Sequence, residues 1–456
     1  MTEPIALKIK MNWKYVILFG LWDAAWSMMW GVYNNYMPVF WQSGNPDYNV
    51  LGASAAVGFG LGAFTTGLIM SIDNIASVIM QPIFGAISDS SKSRKRLVVI
   101  FGLLPAIFFA LLPIGILSIS PEQSGQLASL VLPFILVMTL AMFMILAWGV
   151  AKGSEYGLRY AIIPSAVRTQ VYSYTAVFGG LAFVATFVGS NMLYRINPAL
   201  PFWIGSGLLA LTVLGYAFFM IEPEGTTLTS ADLGTDGEKK ASGLKTILAG
   251  LKLFSVEQKR ALFIISFTKF LAWAGVAGLE TFASSYVVNT LGLDEGEAGN
   301  MIAIYFLGYL LFAIPAGYIA AKVGRKNLLR VALVAFIVAG LTQFSLQNTS
   351  LIYFVLIVAG AANSTTDIMV TPMIADVAPS KKVMGITVTI ASAITTLASV
   401  LSVPAWGAII QASGNNFGLL WLGLAIMPAL GFILISTLKS GMGEASAVTA
   451  EDSANW

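Results

Sequence analysis

The sequence of 456 residues contains no cysteine and no histidine. Without cysteine, the chain has no disulfides and no thiolate metal sites. Without histidine, it lacks the side chain that most often carries protons near neutral pH, so any proton coupling must use Asp or Glu. Charged residues make up only 10% of the chain, whereas soluble domains carry about 25%. Since 57% of the residues are hydrophobic, the composition predicts a polytopic membrane protein.

Several function classes lack their sequence motifs. There is no Gly-rich phosphate-binding loop ending in Gly-Lys-Ser/Thr, so ATP-driven pumping is not expected. The net charge is +3, and the basic residues lie in short loops between apolar stretches, which is not a nucleic-acid-binding pattern. No motif indicates an enzyme. We therefore expect no enzymatic activity, no cofactor, no metal and no nucleic-acid partner.

Twelve apolar stretches follow one another, each near the roughly 20 residues that cross the hydrocarbon core of a bilayer. A polar linker over 222–259 separates six of them in 1–221 from six in 260–438, and a polar tail over 439–456 is expected to be disordered. The second part of the linker has the apolar and basic spacing of a short surface helix. The sequence predicts an all-α membrane protein of two pseudo-symmetric six-helix bundles. The predicted spans are 14–38, 58–86, 97–117, 129–156, 170–194, 201–221, 260–289, 298–321, 328–346, 350–377, 384–412 and 416–438.

Every alternate loop is basic. Lys and Arg occur in the loops at 92–96, at Arg168, and at 239–260, 322–330 and 381–382, whereas Arg195 is the one basic residue in the remaining loops. Because loops rich in Lys and Arg stay in the cytoplasm, this alternation places both termini there. We expect a multi-pass protein of the cell membrane that works as a monomer.

A weak internal repeat supports the division into two halves. The segment 85–96 begins with Gly, has Asp89 four residues on, and ends in a basic run. A related segment, 317–326, occurs at the same place in the second half, with Ala321 where the first copy has Asp. A duplicated six-helix unit would leave such a pattern.

These two segments resemble the loop signature of the major facilitator superfamily. Within it, the segment 81–94 resembles the sucrose-transporter-like and glycoside–cation symporter branches. The resemblance implies the twelve-helix fold and secondary transport. We interpret Gly85, Asp89, Arg94 and Arg325 as gating residues, because a charge pair there can tie two helices together in one state and release them in the other. The alternative is that these charges only fix the membrane topology.

Span 1 carries a polar and aromatic stripe. Asp23, Trp30 and Asn34 share one face of a helix, and Trp26 flanks it. Aromatic rings pack against the apolar faces of sugar rings, while amides and carboxylates bond the hydroxyls. The stripe therefore predicts a sugar-binding surface. The alternative is that the tryptophans belong to the interfacial belt of the membrane.

Acidic residues within the spans are candidates for proton coupling, since such groups are costly in hydrocarbon. Asp73 lies near the middle of span 2. In span 4, Lys152, Glu155 and Arg159 share a helix face and can neutralise one another, so Glu155 is either a coupling acid or part of a permanent salt bridge. The family resemblance places a carboxylate and an aromatic near here, which implies sugar contacts for Tyr156 and Tyr160.

The second half repeats the pattern. Span 7 places Lys269, Trp273 and Glu280 on one stripe, and span 10 turns Asn363 and Asp367 inward. Trp273 and Asn363 are predicted to contact the substrate, and Lys269, Glu280 and Asp367 to take part in proton coupling. Lys269 is a candidate ion-pair partner for Asp367 or Asp23.

These observations lead to one main hypothesis: a secondary transporter that moves a sugar, a di- or oligosaccharide or glycoside, together with a proton by alternating access. A sodium-coupled sugar symporter, a drug or amphiphile exporter of the same fold, and a membrane sensor or scaffold without transport remain alternatives. The sequence leaves open which of Asp73, Glu155 and Asp367 is the coupling acid.

Overall fold

We describe the fold from a computed structural model, in which residues 10–43, 57–61, 63–228, 243–292, 295–414 and 416–445 are described. Thirteen α-helices form in these residues. They are α1 Trp13–Gln42, α2 Ala63–Asp89, α3 Arg94–Leu117, α4 Val131–Ile162, α5 Ser165–Ile196, α6 Leu200–Phe219, α7 Gly243–Lys252, α8 Val256–Asn289, α9 Glu295–Val323, α10 Arg325–Leu346, α11 Ile352–Val377, α12 Met384–Ala412 and α13 Leu419–Ser436.

Every helix except α7 has at least 18 residues, so the described chain holds twelve long helices, as the sequence predicts. Eleven of them are both long and apolar enough to cross a membrane. The remaining helix, α5, has 32 residues but carries hydroxyl, amide and arginine side chains along its length. The all-α membrane fold is thereby confirmed.

The largest shift of a predicted boundary is at the end of span 4. Helix α4 continues to Ile162, six residues beyond the predicted end of span 4. The last two turns contain Glu155 and Arg159, which are both buried and form a salt bridge with each other. Because the two charges satisfy each other, the helix continues through them into the protein interior.

The long helices pack as two bundles, the first formed by α1–α6 and the second by α8–α13. Within the first bundle, α3 packs on α4 and α6, and α1 packs on α5 and α6. Within the second, α8 and α10 both pack on α13, and α9 packs on α11. The bundles meet mainly where α2 lies against α12 and α5 lies against α9.

The short helix α7 lies within the predicted linker. It packs against α2, and its Gly250 faces the side chain of Ile386 at the start of α12. Thr246 and Ile247 are buried, whereas Leu248 is exposed. A short helix therefore lies within the range of the predicted linker, and it contacts both bundles.

Candidate solute-binding site between the two helix bundles

Two adjoining cavities lie between the bundles. The first, of about 440 Å³, is lined by acidic and aromatic side chains of α1, α4, α5, α8, α9 and α11, including Asp23, Glu280 and Asp367. The second, of about 530 Å³, is lined by amides, hydroxyls and aromatics of α1, α2, α4, α8 and α12. Both cavities share four side chains: Trp30, Trp148, Lys152 and Trp273. A solute could therefore contact both bundles at once.

Arg159 organises the charges on the side of the first bundle. Its Nη1 and Nη2 donate to the two carboxylate oxygens of Asp23 at 2.9 and 2.8 Å, and its Nε donates to Oε1 of Glu155 at 2.6 Å. The Tyr216 hydroxyl of α6 donates to the same Glu155 oxygen at 2.7 Å. Two carboxylates from different helices thus share one guanidinium, which fixes α1 against α4.

The three charged groups of this cluster differ in their access to the cavity. Glu155 and Arg159 are almost completely buried, whereas the side chain of Asp23 is 22% exposed and lines the first cavity. The second carboxylate oxygen of Glu155, Oε2, has no hydrogen-bond partner among the described residues. Glu155 therefore lies behind Asp23, connected to the cavity through Arg159.

The second bundle contributes an ion pair between Lys269 of α8 and Asp367 of α11. The Tyr309 hydroxyl donates to the other oxygen of Asp367 at 3.3 Å. The Lys269 ammonium also lies 5.2 Å from the centre of the Trp273 ring. Of the two partners that the sequence suggests for Lys269, the structure selects Asp367.

Lys152 of α4 occupies the boundary between the two cavities. Its ammonium lies 4.6 Å from the centre of the Trp148 ring and 5.6 Å from that of Tyr156, and it donates to the Ser392 hydroxyl of α12 at 3.5 Å. Among the described residues it forms no salt bridge, in contrast to Arg159. Its charge is thus held by aromatic faces and a hydroxyl of the opposite bundle.

Aromatic side chains form a continuous wall on the first bundle. Trp22, Trp26, Trp148 and Trp30 make successive ring contacts with centroid distances of 5.1–5.9 Å. The indole Nε1 of Trp26 is buried without a hydrogen-bond partner among the described residues. On the second bundle, Trp273 donates from Nε1 to the Ser399 hydroxyl at 2.7 Å. Trp26 and Trp30 thus lie in the protein interior at the cavity, rather than in a belt at the helix ends.

The residues predicted from sequence to contact a substrate separate into four groups. Four of them line only the first cavity: Asp23, Trp26, Tyr156 and Asn363. Trp30 and Trp273 line both cavities, and Asn34 lines only the second. Tyr160 is fully buried and lines neither cavity; its ring contacts that of Tyr156, so its place in the structure is that of packing support.

The predicted coupling residues are divided in the same way. Glu280 and Asp367 line the first cavity, and Lys269, Arg159 and Glu155 lie directly behind its walls. The side chain of Asp73 lies outside the described residues. Its helix, α2, lines the second cavity through side chains that include Asn74 and Gln81.

The predicted gating residues tie the two bundles together at one end of the protein, here called the basic end. Arg94 donates from Nη2 to Asp89 at 2.5 Å and to the backbone carbonyls of Lys381 and Lys382 at 3.1 Å. The Asp89 carboxylate accepts from the backbone N–H of Gly385 at 2.9 Å and of Ile386 at 2.7 Å. The pair at the end of α2 therefore holds the start of α12.

The second bundle forms the reciprocal contact. Arg325 pairs with Asp376 of α11, donates from Nε to the Thr169 hydroxyl at 2.6 Å and from Nη2 to the Ser165 carbonyl at 2.8 Å. Arg168 of α5 also pairs with Asp376. Asp376 thus supplies the carboxylate that is missing at Ala321, from a different helix.

Sequence reasoning missed three contributors to these networks. Tyr216 is the single tyrosine of α6, a helix without charged residues, and that isolation is the signal that could have drawn attention to it. Trp148 and Tyr309 stand in aromatic-rich helices, where nothing in the pattern distinguishes a cavity-lining ring from a lipid-facing one.

Comparisons with known proteins agree with this geometry. Residues 262–450 match the sequence model described as the Major Facilitator Superfamily. A relative, the lactose permease of Klebsiella oxytoca, is 28% identical over 185 residues, which cover 40% of each protein. The chain thus spans less than half the length of that relative.

Two solved structures show the fold. An outward-conformation structure of the major facilitator transporter FucP superimposes with a TM-score of 0.70, at 15% identity, over 94% of this chain and 100% of that one. The proton:xylose symporter XylE superimposes with a TM-score of 0.65, at 14% identity, over 97% and 98%. At these identities the likeness establishes the fold alone.

Proposed function

We propose that this chain is a secondary transporter of the major facilitator superfamily, and that it is a proton-coupled symporter of a sugar, in the form of a di- or oligosaccharide or glycoside. The observation that carries the proposal is the composition of the two adjoining cavities. Tryptophan faces lie beside amides, hydroxyls and carboxylates that both bundles supply. An amphiphile would need fewer polar partners than these walls present.

The names of the similar proteins support the same solute class. The relative found by sequence is a lactose permease, and one of the structures is a proton:xylose symporter. Asp23, Trp26, Trp30 and Trp273 are our candidates for direct sugar contacts, together with Asn363. The buried Trp26 Nε1, which lacks an acceptor among the described residues, is suited to bond a sugar hydroxyl.

Glu155 is our first candidate for the coupling acid. Its Oε2 is unpaired among the described residues, and its Oε1 shares Arg159 with Asp23. A proton on Glu155 would weaken its bond to Arg159 and leave the guanidinium to Asp23 alone. That exchange would couple protonation to the position of α1, which lines the sugar site. A proton drives transport only if it binds the two conformations with different affinity. Asp73 and Asp367 remain alternatives.

We further propose that both termini and the basic end face the cytoplasm, following the distribution of Lys and Arg. In that orientation, the contacts of Asp89, Arg94 and Arg325 close the cytoplasmic side of the transporter. The two bundles would then rock about the cavity to open that side.

The test is uptake of radiolabelled disaccharides into energised membrane vesicles. A protonophore should abolish accumulation, and removal of sodium should leave it unchanged; dependence on sodium alone would reject proton coupling. Glu155→Gln should lose accumulation against a gradient yet retain exchange of internal for external sugar. Asp73→Asn and Asp367→Asn serve as parallel variants. Unchanged accumulation in Glu155→Gln would remove Glu155 from the mechanism.

A further inference from the structure

A third cavity lies away from the solute site, on the outer surface of the first bundle at its basic end. Its volume is about 340 Å³, and it lies between the start of α3 and the end of α6. Ser93, Lys95, Arg96, Val99, Ile100 and Ala217 line it. We call it the basic groove, because its lining combines two cations with Ser93 and three apolar side chains.

The cations of the basic groove are unpaired. Lys95 and Arg96 form no salt bridge and donate no side-chain hydrogen bond among the described residues. The Glu222 carboxylate at the start of α3 is already engaged, since it accepts from the Ser93 hydroxyl and from the backbone N–H groups of Arg94 and Lys95. Those bonds also satisfy the first turn of α3, so the positive charge left in the groove belongs to side chains.

The second bundle provides an internal comparison, because α10 begins like α3. Glu444 accepts from the backbone N–H groups of Arg325 and Lys326, as Glu222 does from Arg94 and Lys95. There, however, the Lys326 ammonium donates to the carbonyl of Leu438, and Arg330 donates to that of Ser436. In the second bundle, the lysine beside the buried arginine and an arginine about one turn further on thus hold the end of α13, and Asn327 stands where the first bundle has Arg96. In the first bundle, Lys95 and Arg96 are left facing a cavity.

The surface leading away from the basic groove is apolar. Ile100 and Ile107 of α3 are exposed, as are Leu214 and Phe218 of α6. Both helices are long and apolar enough to cross the membrane, so these side chains face lipid tails. The basic groove therefore places two cations next to an apolar surface that a lipid acyl chain could cover.

We propose that the basic groove binds an anionic phospholipid, with the phosphate between Lys95 and Arg96 and one acyl chain along α3 and α6. Lys and Arg bind phosphate oxygens through charge-assisted hydrogen bonds. Basic pockets between membrane helices are suited to anionic head groups. A free phosphate would satisfy the cations but leave the apolar lining uncovered, which is why the occupant is a lipid. This site does not depend on which solute the protein carries.

The experiment uses the purified full chain in mild detergent, delipidated and then supplied with phosphatidylglycerol or phosphatidylcholine. Retained lipid is counted by native mass spectrometry, and the thermal unfolding midpoint is measured in parallel. The natural protein should retain phosphatidylglycerol in preference to phosphatidylcholine. Lys95→Gln combined with Arg96→Gln should lower phosphatidylglycerol affinity about tenfold or more, since each cation contributes roughly 1 kcal/mol. Lys92→Gln, which removes an exposed cation outside the groove, should bind as the natural protein does.

Two further measurements distinguish a bound lipid from a bound phosphate. Ala217→Trp fills the groove while keeping both cations, and it should also lose the bound lipid. Inorganic phosphate alone should give no thermal stabilisation. Equal binding of both lipids, undiminished binding in the double variant or in Ala217→Trp, or stabilisation by phosphate equal to that by lipid would each overturn the proposal. If the double variant unfolds, Ala217→Trp carries the test.

Discussion

Gly85 of α2 and Gly385 of α12 lie backbone against backbone at the basic end. A Cβ on Gly85 would lie 2.7 Å from the carbonyl oxygen of Gly385, and a Cβ on Gly385 would lie 3.0 Å from that of Gly85. This approach brings the Asp89 carboxylate onto the first backbone N–H groups of α12. Glycine is required here for space, since both residues are helical and neither needs a positive φ.

A side chain at this crossing should open the basic end. Gly85→Val should force α2 away from α12, at a cost of about 1–3 kcal/mol that favours the alternative conformation. Because the chain has no cysteine, spin labels attached at Lys92→Cys and Lys322→Cys are the only labels on the protein. Double electron–electron resonance should measure a longer distance between the two labels in Gly85→Val than in the protein with Gly85. Gly207→Val is the matched control, because no atom lies within 4 Å of a Cβ there. An unchanged label distance in Gly85→Val would contradict this role of the crossing.

Loss of Arg159 should destabilise the protein severely. Arg159→Met leaves the carboxylates of Asp23 and Glu155 without their common partner, and breaking a buried pair in this way costs about 3–5 kcal/mol. Lys439→Met breaks the exposed pair between Lys439 and Glu257, whose N–O distance is 2.8 Å, and should cost about 1 kcal/mol or less. Denaturant unfolding in detergent, followed by tryptophan fluorescence, measures both. Similar losses of unfolding free energy in Arg159→Met and Lys439→Met would show that burial of the Arg159 cluster contributes nothing to stability.

Asp376 should matter more than either arginine that it binds. Asp376→Asn leaves both Arg168 and Arg325 buried without a carboxylate, whereas Arg168→Met leaves Asp376 paired with Arg325. We expect Asp376→Asn to lose about 2 kcal/mol more unfolding free energy than Arg168→Met, because an unpaired buried charge carries the full cost of its lost solvation. Both variants are unfolded with denaturant in the same detergent. A larger loss of unfolding free energy in Arg168→Met than in Asp376→Asn would show that the two arginines do not share Asp376.

The Lys269–Asp367 pair offers a charge-rescue experiment at the solute site. Lys269→Met should weaken binding of the transported sugar about tenfold or more, because it leaves the Asp367 carboxylate uncompensated at the cavity wall. Adding Asp367→Asn should restore much of that binding by removing the orphaned charge. Sugar-induced shifts of the unfolding midpoint measure affinity without requiring transport. If the double variant binds as poorly as Lys269→Met, the two residues do not act as a pair.

The helices could be predicted from sequence because hydrophobic length is a property of consecutive residues. The largest shift of a predicted boundary, at the end of α4, has a physical explanation. Charges at 152, 155 and 159 suggest an exit from the membrane, but the Glu155–Arg159 pair is i, i+4 on one helix and becomes compatible with burial once formed. Local spacing predicted that pair. The participation of Asp23 depends on how α1 packs on the rest of the bundle, which no local pattern specifies.

The candidate site also shows that local sequence patterns do not specify how the helices pack on one another. Helical spacing placed Asp23, Trp30, Trp273 and Asp367 on inward faces, and all four line the cavities. The family resemblance also assigned Tyr160 to the substrate, although that ring is buried in packing. Periodicity identifies the face of a helix, but two residues one turn apart can meet a cavity and a neighbouring helix respectively. Only the positions of the other helices distinguish them.

The bonds of Glu222 have a mechanical consequence for the segment that joins the two bundles. This carboxylate holds the backbone of Arg94, and the guanidinium of Arg94 reaches the carbonyls just before α12. The joining segment therefore leaves the first bundle from a point anchored to the contact between the bundles. A displacement of Glu222 would therefore move Arg94 and disturb the contact between the two bundles.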